Sequence, residues 1–369
     1  MDLDTDQVTF PPRAISRQGT RRVLDFLRRA DRAWRSGVFD LSGMDMDELP
    51  TAIIELFPDV TRLLVDANPI AQVPFEFAAM TRLEELRFDR GVMRSPSLEI
   101  WGLGLDRTFE FMRKLTALRR AAHPQAGFAR WGLGRIPDEV FEPALVGRLT
   151  RLDFGDNALD ALPAEVERMA ALEHLVLVRN RLAALPESVG RLTRLETLHL
   201  DDNVVEAFPD RLRTMVALRV LSLPRNRLSA LPPSVVDAPA LVEVLAADNR
   251  VGAVPERLSA ATALRVLDLA NNAVERLPLE VGHCTFLRAL HLDGNVLWSP
   301  PPDVMAQPRA AWLRYLRQLD SSQASRLPPT PLPHRCPHRS PRCGSICFEV
   351  FLNAAVCRSL TVSECSCLS

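Results

Sequence analysis

Apolar and polar positions recur along most of the chain with a period of twenty-three residues. Each unit reads L-x-x-L-x-L-x-x-N-x-L-x-x-L-P, and the first leucines of seven successive units are Leu149, Leu172, Leu195, Leu218, Leu241, Leu264 and Leu287. Asparagines keep the same interval, at Asn157, Asn180, Asn203, Asn226, Asn249, Asn272 and Asn295. The chain holds only ten asparagines, so composition alone does not produce this spacing, which is typical of a solenoid of stacked repeats.

The first half of each unit predicts a short strand. In one unit Leu175 and Leu177 alternate with His174, Val176 and Val178, which is the two-residue period of a strand with one buried face. A single unit cannot cover its own leucines, so neighbouring units must stack with their strands in parallel.

The second half of the unit predicts a turn and a return path on the convex side. Asn180 follows the strand, where its amide can satisfy buried backbone groups that would otherwise cost about 1–3 kcal/mol each. Pro186 cannot donate to a strand ladder, so the strand pairing ends before it. We expect Asn226, in the middle of the regular array, to support the fold more than Asn68 in the irregular N-terminal part.

Weaker units extend the array toward the N-terminus, and the whole pattern amounts to about eleven units. The period breaks over residues 91–148, where two Trp-Gly-Leu-Gly segments begin at Trp101 and Trp131. One interpretation is a pair of degenerate units with long convex connections anchored by the tryptophans. The alternative is a docking patch, because exposed aromatic side chains often dominate binding energy.

The repeat resembles the 23-residue leucine-rich repeats of Ras-group intracellular proteins, which include plant Ras-group members and Ras-pathway scaffolds. The resemblance covers about residues 38–319. It implies an α/β solenoid, a leucine-rich-repeat horseshoe with a parallel concave sheet and helical caps at both ends. It also implies a signalling partner such as a small GTPase or a phosphatase.

The ends of an open solenoid core require caps, and both ends of the array carry helical patterns. We predict an N-terminal extension and capping helix in residues 1–37, repeats in 38–306, a C-terminal cap helix in 307–320 and a tail in 321–369. The N-terminal helix places on one face Val23, Leu27, Ala30 and Trp34. The apolar residues of the C-terminal helix are Trp312, Leu313, Leu316 and Leu319.

The tail is rich in proline and cysteine, and it is expected to be disordered. It contains six of the seven cysteines, and a zinc site there would draw on His334, Cys336, His338, Cys343 and Cys347. Only the last two have a standard ligand spacing, so no metal site is predicted. A prenylation signal is also absent, because the last four residues begin with Ser366 and not with cysteine. Cys284 shares its position in the repeat with Met169, Leu192 and Met215, which indicates a core residue.

The amino-acid composition argues against several classes of binding partner. The 369 residues are 47% hydrophobic and 25% charged with a net charge of -1, which fits a foldable chain without the basic field that draws nucleic acid. No apolar run of roughly 18 residues could span a bilayer, and residues 1–19 lack the apolar core of a secretory signal. We therefore expect a monomeric cytoplasmic protein without a membrane span.

Known catalytic motifs are missing from the sequence. The only lysine is Lys114, and its surroundings match neither a phosphate-binding P-loop nor the strand lysine of a protein kinase. The sequence contains neither His-Glu-x-x-His nor Gly-x-Ser-x-Gly. We therefore expect a non-enzymatic protein that needs no cofactor.

The expected binding surface is the exposed face of the strands, at the third, fifth, seventh and eighth positions of each unit. These positions hold His174, Val176, Val178, Arg179, His199, Asp201, Asp202, Ser222, Arg225, Leu245, Asp248, Asp268, His291 and Asp293. Val220 adds a fourth exposed apolar residue to Val176, Val178 and Leu245. The eighth position alternates in charge from Asp156 to Asp248, so its members could equally form a ladder of ion pairs with one another.

Three functions are compatible with this surface. The first is a non-catalytic scaffold or adaptor that binds a partner protein on the concave face, with small-GTPase signalling implied by the resemblance. The second is the substrate-recognition arm of a ubiquitin ligase or another enzyme complex. The third is direct catalysis or the inhibition of a hydrolase.

Overall fold

Eleven short parallel strands run through the part of the chain that the computed structural model describes, residues 11–324. They are β1 (Val38–Asp40), β2 (Arg62–Leu64), β3 (Glu85–Arg87), β4 (Gln125–Gly127), β5 (Arg151–Asp153), β6 (His174–Val176), β7 (Thr197–His199), β8 (Val220–Ser222), β9 (Glu243–Leu245), β10 (Val266–Asp268) and β11 (Ala289–His291). Strands β1 to β3 form one sheet, and β4 to β11 form a second sheet in sequence order.

The register of the second sheet follows directly from the length of the repeat. Leu175 pairs with Leu198, and Leu198 pairs with Leu221, so residues twenty-three apart lie side by side. These three leucines have no exposed surface, because the strands on both sides cover them. The predicted leucine-rich-repeat solenoid with a parallel sheet is therefore confirmed, with the sheet divided into two parts.

The return path of most units is a short 3₁₀ helix. These helices are Phe75–Ala79, Asp138–Phe141, Ala164–Arg168, Glu187–Arg191, Leu212–Thr214, Pro233–Asp237, Leu258–Ala260 and Leu279–His283. Most of them follow the proline of the repeat, whose fixed φ directs the chain away from the sheet. Val189 and Leu192 are then buried from the convex side, and Cys284 lies in the core at the same position as Leu192.

The asparagines form a ladder of side-chain hydrogen bonds along the stack. Asn226 donates to the carbonyl groups of Leu200 at 2.9 Å and Leu223 at 3.0 Å, and it accepts from the amide of Val205 at 2.9 Å. Each of these amides therefore ties its own turn to the preceding repeat.

Asn68 departs from the expectation of a weaker role. It donates to the carbonyls of Leu41 and Val65 at 2.9 Å, and it accepts from Met46 at 3.0 Å. Asn68 is as deeply buried as Asn226, so the irregular sequence around it does not loosen its turn.

The N-terminal end is covered by α1 (Arg13–Ser16) and α2 (Thr20–Ser36). The buried residues of α2 are Phe26, Ala30 and Ala33. The expected face was wrong at Leu27 and Trp34, which are 40% and 67% exposed. Trp34 nevertheless contacts the first repeat, because its indole donates to the carbonyl of Leu56 at 3.1 Å.

The C-terminal end carries α7 (Pro302–Met305) and α8 (Arg309–Ala324), so the second helix begins and ends later than the sequence indicates. Trp312, Leu313 and Leu316 are buried. Gly282 lies against this helix so closely that a Cβ atom there would be 2.9 Å from the backbone nitrogen of Arg317.

The irregular segment explains the break between the sheets. It contains α4 (Leu98–Gly102), α5 (Leu105–Arg120) and α6 (Pro143–Val146), while α3 (Ala52–Leu56) belongs to an earlier unit. Trp131 occupies the position that asparagine holds elsewhere, and its amide donates to Asn157 at 3.0 Å.

The two tryptophans of this segment are buried, at 9% exposure for Trp101 and 6% for Trp131. The expectation that the two tryptophans form an exposed aromatic docking patch is therefore wrong at the level of exposure, and both side chains anchor the connections. A second buried group, Glu139, bridges the segment by accepting from Ser95 Oγ at 3.1 Å and the Ser97 amide at 2.8 Å.

Residues 325–369, with the six tail cysteines and the zinc alternative, lie outside the described residues. Within the described range, no helix is long and apolar enough to cross a membrane.

Candidate partner-binding surface

The eighth position of each unit holds a residue with a left-handed backbone. From Arg130 to Asn271 the φ angles lie between 53° and 64° in Arg130, Asp156, Arg179, Asp202, Arg225, Asp248 and Asn271. This conformation turns the chain out of the strand, and asparagine and aspartate tolerate it better than most residues. Because the backbone repeats, these side chains come side by side along one edge of the sheet.

The charges of this position are paired with one another. Arg179 lies 3.1 Å from Asp156 and 3.8 Å from Asp202, and Arg225 donates two hydrogen bonds to Asp202. Asn271 continues the row by donating to Asp248 at 2.9 Å.

The ion pairs at this position also favour the charged form of two aspartates. The hydrogen bond from Arg179 lowers the pKa of Asp156, and the hydrogen bond from Arg225 lowers the pKa of Asp202. The structure therefore shows the expected ladder of ion pairs at the eighth position. Most of the charged side chains in this ion-pair ladder are neutralised by one another.

A polar cluster occupies the middle of the sheet, where Ser222 donates to Asp201. His199 Nδ1 lies 3.9 Å from the same carboxylate. Ser222 is 4% exposed, so its expected role as an exposed contact is wrong; the neighbouring strands and the bond to Asp201 cover it. In a nucleophilic triad the imidazole lies between serine and carboxylate, whereas here the carboxylate lies between the other two.

The apolar residues of this face are Val176, Val178, Val220 and Leu245. All four are partly buried, not fully exposed as expected, because parallel strands about 4.8 Å apart bring each side chain against its neighbours. Their outer surfaces remain accessible, with the row of ion pairs at the eighth position on one side and the first residues of the strands on the other.

The remaining predicted residues are spread over the same face. His174 Nδ1 is 2.9 Å from Thr197 Oγ1, and one carboxylate oxygen of Asp268 accepts from the amide of Ala270 at 3.0 Å. His291 and Asp293 are exposed at the last strand. Thr197 and Glu243 face the same way and were not among the predicted residues, although their third position in the repeat could have identified them.

No cofactor or metal was expected for this surface. Across residues 11–324, no group of three or more His, Cys, Asp or Glu side chains is placed to hold a metal ion.

Comparison with known proteins gives structural similarity alone, since neither a protein-family model nor a curated protein matches the chain. A leucine-rich-repeat protein of Leptospira interrogans is similar over 72% of this chain and 57% of its own, with 21% identity and a TM-score of 0.43. The plant peptide hormone receptor RGFR1, in complex with RGF2, is similar over 68% and 38%, with 20% identity and a TM-score of 0.44.

A third similar structure is the leucine-rich-repeat ectodomain of the receptor kinase GASSHO1/SCHENGEN3 from Arabidopsis thaliana, in complex with CASPARIAN STRIP INTEGRITY FACTOR 2. It is similar over 70% of this chain and 27% of its own, with 22% identity and a TM-score of 0.40. The chain thus spans 57% or less of the lengths of these three proteins. Because these TM-scores are low, the assignment of a leucine-rich-repeat fold rests on the strand register and asparagine ladder of the chain itself.

Proposed function

We propose that this chain is a non-catalytic scaffold or adaptor that binds a partner protein on the concave face of β6 to β11. The observation that carries the proposal is the strip of partly buried apolar side chains that includes Val176, Val220 and Leu245. A protein interface combines apolar and polar contacts, and here Val176 and Leu245 lie in one row across the strands with His199 and Ser222 between them, next to the ion-pair ladder.

The electrostatics of the face support a protein partner over a nucleic acid. Arg179 and Arg225 would be the natural phosphate contacts, but each is already paired with aspartate. Phosphate binding depends on cations that are free to replace counterions, and the ladder leaves few of these on the concave face.

Binding is favoured over catalysis by the arrangement around Ser222. Its hydroxyl donates to Asp201, so the neighbouring His199 is not in line to accept the serine proton. In this proposal the cluster shapes the surface and performs no chemistry.

The finer parts of the proposal rest on the resemblance of the repeat to Ras-group proteins. They are a small GTPase or phosphatase as partner, a cytoplasmic location and a monomeric chain. Cys284, which lies among the described residues, has its thiol buried in the core, and this is compatible with a reducing compartment.

An affinity purification from a lysate with quantitative mass spectrometry tests the proposal. The bait would be the wild-type chain, with Leu245→Glu and the milder Leu245→Ser as test variants. Glu165→Arg is the matched control, because Glu165 is exposed on a convex 3₁₀ helix. We expect the Leu245 variants to lose a partner that the control retains. Retention of every partner by folded Leu245→Glu contradicts the concave site.

A further inference from the structure

The break between the two sheets leaves one edge of β3 open. The backbone amide of Glu85 donates to the carbonyl of Thr61 at 3.1 Å, and the carbonyl of Arg87 accepts from the backbone amide of Val65 at 2.9 Å. The main-chain groups of Glu85 and Arg87 therefore point toward β2. Successive residues of a parallel strand direct their main-chain groups to opposite sides. The N–H and C=O of Leu86 therefore point away from β2, where no strand of residues 11–324 pairs with β3.

The regular repeats show what normally satisfies these groups. In β6 the amide that follows the strand, Leu177 N–H, donates to the carbonyl of His199 in the next strand at 2.9 Å. Phe88 holds the same position after β3 and has no next strand to which it could donate.

The apolar core is also incomplete at this edge. Leu63 and Leu175 hold the central strand position in their repeats and have no exposed surface. Leu86 holds the same position in β3 but is only partly buried, and so is Phe88 two residues later. The next repeat would cover both side chains if its strand lay beside β3.

A groove of about 320 Å³ lies along β3. Residues 84–88 line it together with Trp101 from α4 and Leu105 from α5. Trp101 is only 9% exposed, and its ring packs against that of Phe88 with 4.7 Å between the ring centroids.

The edge of β4 that faces this break is covered differently. The side chain of Lys114 reaches the carbonyl of Gly127 at 3.4 Å and lies 4.8 Å from the ring of Trp131. Arg107 also lies over that ring, at 5.2 Å. The open edge is therefore that of β3.

We propose that the groove beside β3 binds an extended segment of a partner protein, which adds a parallel strand to the first sheet. The backbone of that segment pairs with Leu86 and Phe88, and its alternate apolar side chains cover their exposed surfaces. This surface is separate from the concave strip of the proposed function, and either one can fail without the other.

Hydrogen exchange of the free full-length protein tests whether the edge is open. We expect the amides of Leu86 and Phe88 to exchange at least about tenfold faster than those of Leu175 and Leu177, which pair with a next strand. Equal protection at all four amides means that the edge is already closed and overturns the proposal.

A synthetic peptide with the sequence of residues 195–203, Leu-Glu-Thr-Leu-His-Leu-Asp-Asp-Asn, serves as the probe because it is a strand of the regular array. We expect saturating peptide to slow exchange at Leu86 and Phe88 by about tenfold or more. The control peptide carries proline in place of its second and third leucines, and it should give no protection. Absence of protection, or equal protection by both peptides, overturns the proposal.

Two variants separate this groove from the concave face. Leu105→Glu should abolish protection by the peptide, whereas Leu245→Glu should leave it unchanged, with thermal unfolding as the check on folding of both. Loss in Leu245→Glu alone assigns the peptide to the concave face and overturns the edge site. Protection that increases with protein concentration in the absence of peptide assigns the edge to a second copy and overturns the partner segment.

Discussion

Arg225 and Asp202 form a two-point ion pair across neighbouring strands, with Arg225 Nη2 at 2.8 Å from Asp202 Oδ2. Both residues have a left-handed backbone, with φ of 53° and 56°. The conformation that turns the chain out of each strand therefore also aligns the charged side chains into a ladder.

The first prediction concerns the left-handed backbone conformation of Arg225. Arg225→Asn and Arg225→Val both remove the guanidinium, but only valine is β-branched and strongly disfavoured at positive φ. We expect the valine variant to be less stable than the asparagine variant by about 1 kcal/mol, measured by urea unfolding. Equal midpoints would show that the left-handed conformation is not maintained in solution.

The second prediction concerns the ladder of buried asparagines. Asn226 and Asn295 both satisfy backbone groups of two repeats, but Asn226 is 7% exposed and Asn295, near the end of the array, is less buried. We expect Asn226→Ala to lower the free energy of unfolding by roughly 2–4 kcal/mol and Asn295→Ala by roughly 1 kcal/mol. Urea unfolding of both variants measures the difference, and a larger loss for Asn295→Ala would contradict this account of the ladder.

The C-terminal cap is tested at Gly282. A Cβ atom there would lie 2.9 Å from Arg317 N and 3.0 Å from the carbonyl of Leu313, so Gly282→Ala forces α8 away from the last repeats. We expect a loss of about 1–3 kcal/mol in stability. The control is Gly252→Ala, where nothing lies within 4 Å of the added atom. Thermal unfolding should separate the two, and an unchanged Gly282→Ala would mean that α8 does not pack as described.

Glu139 makes stability depend on pH. Burial raises the pKa of its carboxyl, although hydrogen bonds from Ser95 and Ser97 partly oppose the shift. Below its unfolded-state pKa, such a carboxyl is protonated in both the folded and the unfolded chain and does not change stability. As the pH rises toward and through the raised folded-state pKa, the buried carboxyl lowers the free energy of unfolding.

The variant that checks this is Glu139→Gln, which keeps an acceptor for Ser97 and cannot ionise. We expect the urea midpoint of the variant, relative to wild type, to be higher at pH 8 than at pH 4. A difference that is the same at both pH values would show that Glu139 ionises as readily in the folded chain as in the unfolded one.

Much of the fold is predictable from the sequence because the repeat length sets the strand register, as the pairing of Leu175 with Leu198 illustrates. The phase of α2 is not, because apolar residues occupy both positions of the pairs Phe26–Leu27 and Ala33–Trp34, and either face satisfies a helical period. Only contact with the first repeat selects Phe26 and Ala33.

The candidate surface is predictable in outline but not in detail. Repeat position identifies which side chains leave the core, yet the burial of Ser222 depends on its bond to Asp201, which follows the preceding strand. The open edge of β3 has no signal in the period, because the irregular residues 91–148 determine where the next strand lies.

The concave site is tested most directly by site-specific photo-crosslinking in a lysate, with a photoreactive amino acid at position 245 or, as a control, at position 165. We expect one partner protein to be crosslinked from position 245 and not from position 165. A partner that is crosslinked equally from both positions, or only from the convex position 165, would contradict the proposal that the concave strands form the binding surface.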